Sequence, residues 1–148
     1  MRRPGERWLI AAALLSAAAA VMHLAVIACG PDWYRFFGAG EGMARLAERG
    51  SAKPALITLA IAAVLAAWSA YALSGAGTIR RLPLLRTALV LITAVYLLRG
   101  LVLLPALAVN GGRVDSFTLW SSLIVLVYGI VYAVGTFRAW PALAGTAR

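Results

Sequence analysis

Few side chains in this sequence could do chemistry, and two of them stand in unusual places. Arg99 lies inside an apolar run, thirteen residues beyond Arg86, and His23, the sole histidine, lies inside another. A guanidinium at the centre of a membrane helix costs about 2.5–3.5 kcal/mol on insertion scales, so it turns toward a protein interior, water or an anion. No carboxylate falls in any apolar run. The acids within reach of the same side are Asp32, Glu41, Glu48 and Asp115, all in connecting segments. With Tyr96 one turn before Arg99, these residues could line an outward-facing pocket for a small anionic or lipid-like ligand. Arg99 would hold a carboxylate or phosphate, Tyr96 would orient it, and His23 would titrate near neutral pH or donate a hydrogen bond. Glu41 and Asp32 would stand at the mouth. The same residues also suit a structural arrangement, in which Glu41 or Asp32 neutralises Arg99 and His23 bonds a carbonyl or a tyrosine.

The elements that must position them are membrane spans. Of 148 residues 63% are hydrophobic and 13% charged, against roughly half and a quarter in soluble domains. Four apolar runs occupy residues 8–29, 54–73, 87–109 and 117–137, and each reaches the about 20 residues that cross a hydrocarbon core of about 30 Å. Only Arg99 among the 19 charged side chains falls within them. The sequence therefore predicts an all-α polytopic membrane protein, one domain over residues 1–148, with four transmembrane helices in an up-down bundle.

Fourteen Lys and Arg against five Asp and Glu give a net charge of +9. An even number of spans puts both termini on one side, with Arg2, Arg3, Arg7, Arg80, Arg81, Arg86, Arg138 and Arg148. The other side has five basic residues: Arg35, Arg45, Arg49, Lys53 and Arg113. The positive-inside rule then sets both termini in the cytoplasm. Arg outnumbers Lys thirteen to one, a bias associated with high-GC bacterial genomes, so the expected location is a bacterial inner membrane. Trp8, Trp33, Trp120 and Trp140 fall near span ends, where indoles favour the headgroup level. The basic residues are divided between two membrane faces rather than gathered in one stripe, which argues against nucleic acid. Anionic lipid headgroups near Arg80, Arg81 and Arg86 are the expected counterions.

Residues 26–30, Val-Ile-Ala-Cys-Gly, share the ending of a lipoprotein signal. The apolar stretch before Cys29 is 21 residues long, whereas a signal core has about 7–15, so an uncleaved first span is expected.

Helix spacing places Ser16, Ala19, Ala20, His23 and Ile27 on one face of the first span, and Thr58, Ala62, Leu65 and Ser69 on one face of the second. The third carries Ile92, Tyr96, Arg99, Leu103 and Ala106, with a kink expected at Pro105. The fourth carries Ser121, Val125, Tyr128, Tyr132 and Thr136. These small or polar faces are expected to turn inward, His23 and Arg99 among them. In the first outside loop, residues 32–50 predict a short amphipathic helix with Phe36, Met43, Leu46 and Ala47 on one face. A Glu41 and Arg45 pair would support it, and Gly50 would stop it. Such a helix could lie on the outer surface or fold over the bundle mouth.

One His and one Cys do not make a metal or haem site, so no metal and no cofactor are expected. Gly38-Ala39-Gly40 and Gly75-Ala76-Gly77 follow no strand and make no phosphate loop. In span number and size the chain resembles small multidrug transporters and DoxX-like proteins. Those transporters rely on a carboxylate in the first span, where this chain has only His23. With no catalytic motif, the leading expectation is a non-enzymatic accessory or interaction role, associating with itself or with a larger membrane partner. The alternative is the ligand site of Arg99, His23 and Glu41, in a transporter or membrane enzyme.

Overall fold

A computed structural model of the chain describes residues 4–103, 105, 109 and 116–144. Arg2, Arg3, Ala106, Arg113, Asp115 and Arg148, all invoked above, lie outside the described residues. Six helices are described: α1 (Glu6–Cys29), α2 (Pro31–Phe36), α3 (Glu41–Glu48), α4 (Lys53–Ala76), α5 (Leu85–Leu101) and α6 (Ser116–Ala144). No strand occurs among the described residues.

Three helices, α1, α4 and α6, are long and apolar enough to cross a membrane. Their 24, 24 and 29 residues correspond to about 36–44 Å at 1.5 Å per residue. The chain thus has the build of a multi-pass membrane helical protein. Alanine, the best helix former, dominates α1 and α4. Of the expected third run, 87–109, residues 87–101 lie in α5, which starts two residues earlier at Leu85. The last run continues beyond Phe137 to Ala144, through Pro141. Proline there removes one backbone donor without ending the helix.

By their contacts the described residues form two units, one of residues 17–67 and one of the chain before and after them. In the second of these, segments of α1, α4, α5 and α6 pack around Leu9, Ala12, Ala13, Ala72, Leu89, Ile92 and Tyr132. The α5 and α6 backbones approach closely. A Cβ on Gly100 would stand 2.7 Å from the Leu126 Cα, and one on Gly129 would stand 2.9 Å from the Leu97 nitrogen. With lipid outside, apolar burial gives helices little reason to associate, and small residues permit the van der Waals contact that does. The outward faces carry exposed Leu14, Leu91, Val95, Leu98, Val127 and Ile130.

In the unit of residues 17–67, α2 and α3 pack on each other. The segment expected as one amphipathic helix is thus two, broken where Gly38 and Gly40 adopt positive φ. Each ends in a reciprocal pair of backbone bonds. Gly38 N–H donates to Arg35 O and Ala39 N–H to Tyr34 O; Gly50 N–H donates to Ala47 O and Ser51 N–H to Leu46 O. This is the Schellman arrangement, which needs a left-handed residue after the helix. Tyr34, Ala44 and Val26 form the small core, with Phe37, Met43 and Ala47 against it. Phe36, expected to share a face with Met43, Leu46 and Ala47, is instead 76% exposed, and Phe37 packs beside Met43 and Ala47.

Candidate functional site

The polar residues of the unit that holds α5 and α6 converge on Ser16. Its Oγ lies 2.9 Å from the Tyr96 hydroxyl and 2.8 Å from the Tyr132 hydroxyl. Tyr132 in turn donates to the Trp68 carbonyl at 3.1 Å. A carbonyl can only accept and each hydroxyl has one proton, so the direction of the chain is settled. Tyr132 spends its proton on Trp68, therefore accepts from Ser16, and Ser16 accepts from Tyr96. The Tyr96 ring packs edge-on against Trp68 with centroids 4.9 Å apart, and lies 5.6 Å from Tyr128 and 5.3 Å from Tyr132. Nearby, Ser69 donates to the Ala13 carbonyl at 2.9 Å. These bonds join α1, α4, α5 and α6.

The local sequence explains the convergence. Ser16 sits among alanines on α1, so the larger tyrosines can reach it, and helical spacing puts Tyr128 and Tyr132 on one face of α6. Ser16 and Tyr132 are fully buried and Tyr96 nearly so. The two partners of Ser16 are phenols, neither of which is a base at neutral pH. The hydroxyl therefore lacks the adjacent general base that makes a serine a nucleophile.

Arg99 occupies a different environment in that unit. It is exposed rather than interior, because Tyr96 and Gly100 take the buried face of α5. Its guanidinium reaches two hydroxyls of α6, Ser122 at 3.3 Å and Ser121 at 3.5 Å. Both are long, weak contacts for a full charge.

The remaining expected site residues belong to the unit of residues 17–67. His23 points its Nδ1 at the carbonyl of Ala19, 2.7 Å away on its own helix. That short contact makes Nδ1 the protonated nitrogen, since a carbonyl needs a donor. Glu41 and Asp32 are both drawn to Arg35. Glu41 accepts from Arg35 Nε at 2.8 Å and from Arg45 at 3.0 Å, Glu48 accepts from Arg35 at 2.7 Å, and Asp32 is 3.3 Å from it. Hydrogen bonds from Arg35 and then Arg45 hold the Glu41 carboxyl down at about 2, and those from Glu41 and Glu48 raise Arg35. Thus Glu41 and Asp32 come together, and Tyr96 joins Ser16 and Tyr132.

Sequence spacing singled out Ser16, Tyr96 and Tyr132 on three separate faces but gave no reason to join them. Arg35, the hub of the charge cluster, stands in the sequence only as one of the outer basic residues. Its spacings to Asp32 and Glu41 were available, but three and six residues across a helix break do not show which cation will be shared. Among the described residues, no three His, Cys, Asp or Glu side chains are grouped to hold a metal ion. Comparison with protein-family models, with curated proteins and with solved structures finds no match to this chain.

Proposed function

We propose that the chain is a four-span protein of a bacterial inner membrane, with both termini in the cytoplasm, that serves an accessory or interaction role without catalysis of its own. The observation that carries this reading is the closed hydroxyl chain from Tyr96 through Ser16 to Tyr132 and Trp68. Its protons are all used between helices, which is what a group that holds a bundle together does. The charged groups of α2 and α3 are likewise spent on one another.

The third span in this reading begins with α5 and continues along the apolar sequence to Val109. The basic groups then divide as the positive-inside rule requires. The α2–α3 pair would lie on the outer surface, its exposed Trp33 and Phe36 set at the headgroup level where aromatic rings are favoured. Its partner would be a second copy or a larger membrane protein.

The contacts of Arg99 favour a second reading, an outward-facing site for a small anion or a lipid-like ligand, with His23, Glu41, Tyr96 and Asp32 as the other contributors. Two serine hydroxyls at 3.3 and 3.5 Å leave the charge of Arg99 unneutralised by them.

Chemical cross-linking in membranes, followed by purification in mild detergent, tests the first reading. It expects one protein, or a second copy, linked in constant ratio to the chain. A chain that purifies alone, and whose melting temperature rises with a small anion in wild type but not in Arg99→Gln, would instead establish the second.

A further inference from the structure

The connection between α4 and α5 gathers positive charge beside an open cleft. Residues 81–87 line an open cleft of about 520 Å³. The connection carries Arg80, Arg81 and Arg86, and the sequence has no acid between Glu48 and Asp115. We propose that this cleft binds the phosphate of an anionic phospholipid. The proposal rests on the reading of the chain as a membrane protein and adds a specific ligand to it.

The guanidinium of Arg86 is fixed before any ligand arrives. It stacks over the Trp140 ring at 4.2 Å and donates one Nη2 hydrogen to the Trp140 carbonyl at 3.2 Å. Its Nε is buried and has no hydrogen-bond partner, a costly condition for a charged donor. Arg81 is anchored to the Leu143 carbonyl. Buried Ser74 pins the connection itself, accepting from the Leu82 N–H at 2.9 Å and donating to the Arg80 carbonyl at 3.1 Å.

Anion chemistry and apolar chemistry meet here. The first intrahelical bond at the start of α5 runs from Ala88 N–H to Leu84 O, and no side chain caps the turn. The N–H groups of residues 85–87 therefore lack intrahelical acceptors at the positive end of the helix. Leu84 adopts a left-handed backbone, φ 51°, and holds its side chain 78% exposed beside the arginines. A soluble anion gives that leucine nothing to contact, whereas a lipid offers it an acyl chain. Trp140, which stacks on Arg86, is of the type that favours the headgroup level. Positive charge at Arg80 and Arg86 would repel the ammonium of a zwitterionic headgroup, so the ligand is a net-anionic one.

The test is native mass spectrometry of the full chain from detergent micelles containing equal phosphatidylglycerol and phosphatidylcholine. Wild type is expected to retain phosphatidylglycerol preferentially. Arg80→Gln, an exposed position, should weaken retention about fivefold, and Arg86→Gln by as much or more. Arg49→Gln, on the other charged segment, should leave it unchanged. Equal retention of the two lipids, or equal retention by Arg80→Gln and wild type, would overturn the proposal. So would displacement of the lipid by millimolar inorganic phosphate, which would make the site one for the free ion. Labelling of Thr78→Cys in the Cys29→Ala background, from either side of intact cells, reports the topology separately. An outside position would overturn the proposed orientation while leaving the lipid result to stand by itself.

Discussion

The hydroxyl of Ser16 lies 2.8 Å from that of Tyr132, 116 positions later in the chain, and the bond runs from serine to tyrosine because Tyr132 gives its own proton to the Trp68 carbonyl. Removing Ser16 thus leaves Tyr96 without an acceptor and Tyr132 without a donor. Ser16→Ala is expected to cost about 1–2 kcal/mol of stability. In a cycle with Tyr132→Phe, measured by unfolding in mixed micelles, the two should couple by about 0.5–1 kcal/mol. Additive losses would mean that the bond contributes nothing.

Close helix approach gives a second expectation. Gly100→Ala places a methyl 2.7 Å from the Leu126 Cα, where backbone rather than a flexible side chain must move. It should cost about 1–3 kcal/mol. Gly42→Ala, inside α3 with open space around it, should instead stabilise that helix by about 0.5–1 kcal/mol. Thermal denaturation of the two variants beside wild type checks both signs.

The charge cluster on α2 and α3 gives a pH dependence. Glu41 ionises at about 2 when folded and at 4.5 in its ordinary state. A lowered carboxyl favours the folded form above its unfolded value and loses that effect as pH falls through its folded one. Ordering of α2–α3 is therefore expected to be constant above about pH 4.5 and to weaken between there and about pH 2. Hydrogen exchange of residues 41–48, corrected for intrinsic rates, reads this directly. Arg35→Gln should raise exchange at neutral pH, and Asp32→Asn should not, since the Asp32 side chain is 93% exposed.

Periodicity made much of this legible. The face of Thr58, Ala62, Leu65 and Ser69 is buried at all four positions, because a helix in lipid keeps small and hydroxyl groups for its neighbours. Three of the four expected runs correspond to helices long and apolar enough to span. Arg99 was less legible. Its three-residue spacing from Tyr96 suggested a shared inward face, yet the two differ by about 60° around the helix, enough to put Tyr96 inside and Arg99 outside. Partner choice was hidden for a further reason. The Glu41–Arg45 pair follows from i,i+4 spacing within α3, but only the turn at residues 37–40 brings Arg35 to the same carboxylate.

Arg99 offers a sharp contrast with Arg86. Its two serine contacts are long, so Arg99→Gln is expected to change the melting temperature little, by the equivalent of less than about 0.5 kcal/mol. Arg86→Gln, which loses a ring contact and a carbonyl bond together, should lose about 1–2 kcal/mol. Parallel melts in one detergent decide between them.

The number of spans is the claim on which orientation and the proposed role depend. Reporter fusions after Arg148 and within residues 45–51, joined to the full preceding chain, measure it. Four spans with a cytoplasmic amino terminus require a cytoplasmic reporter at 148 and an external one at 45–51. A reporter at 148 on the same side as that at 45–51 would leave an odd number of crossings and contradict the account.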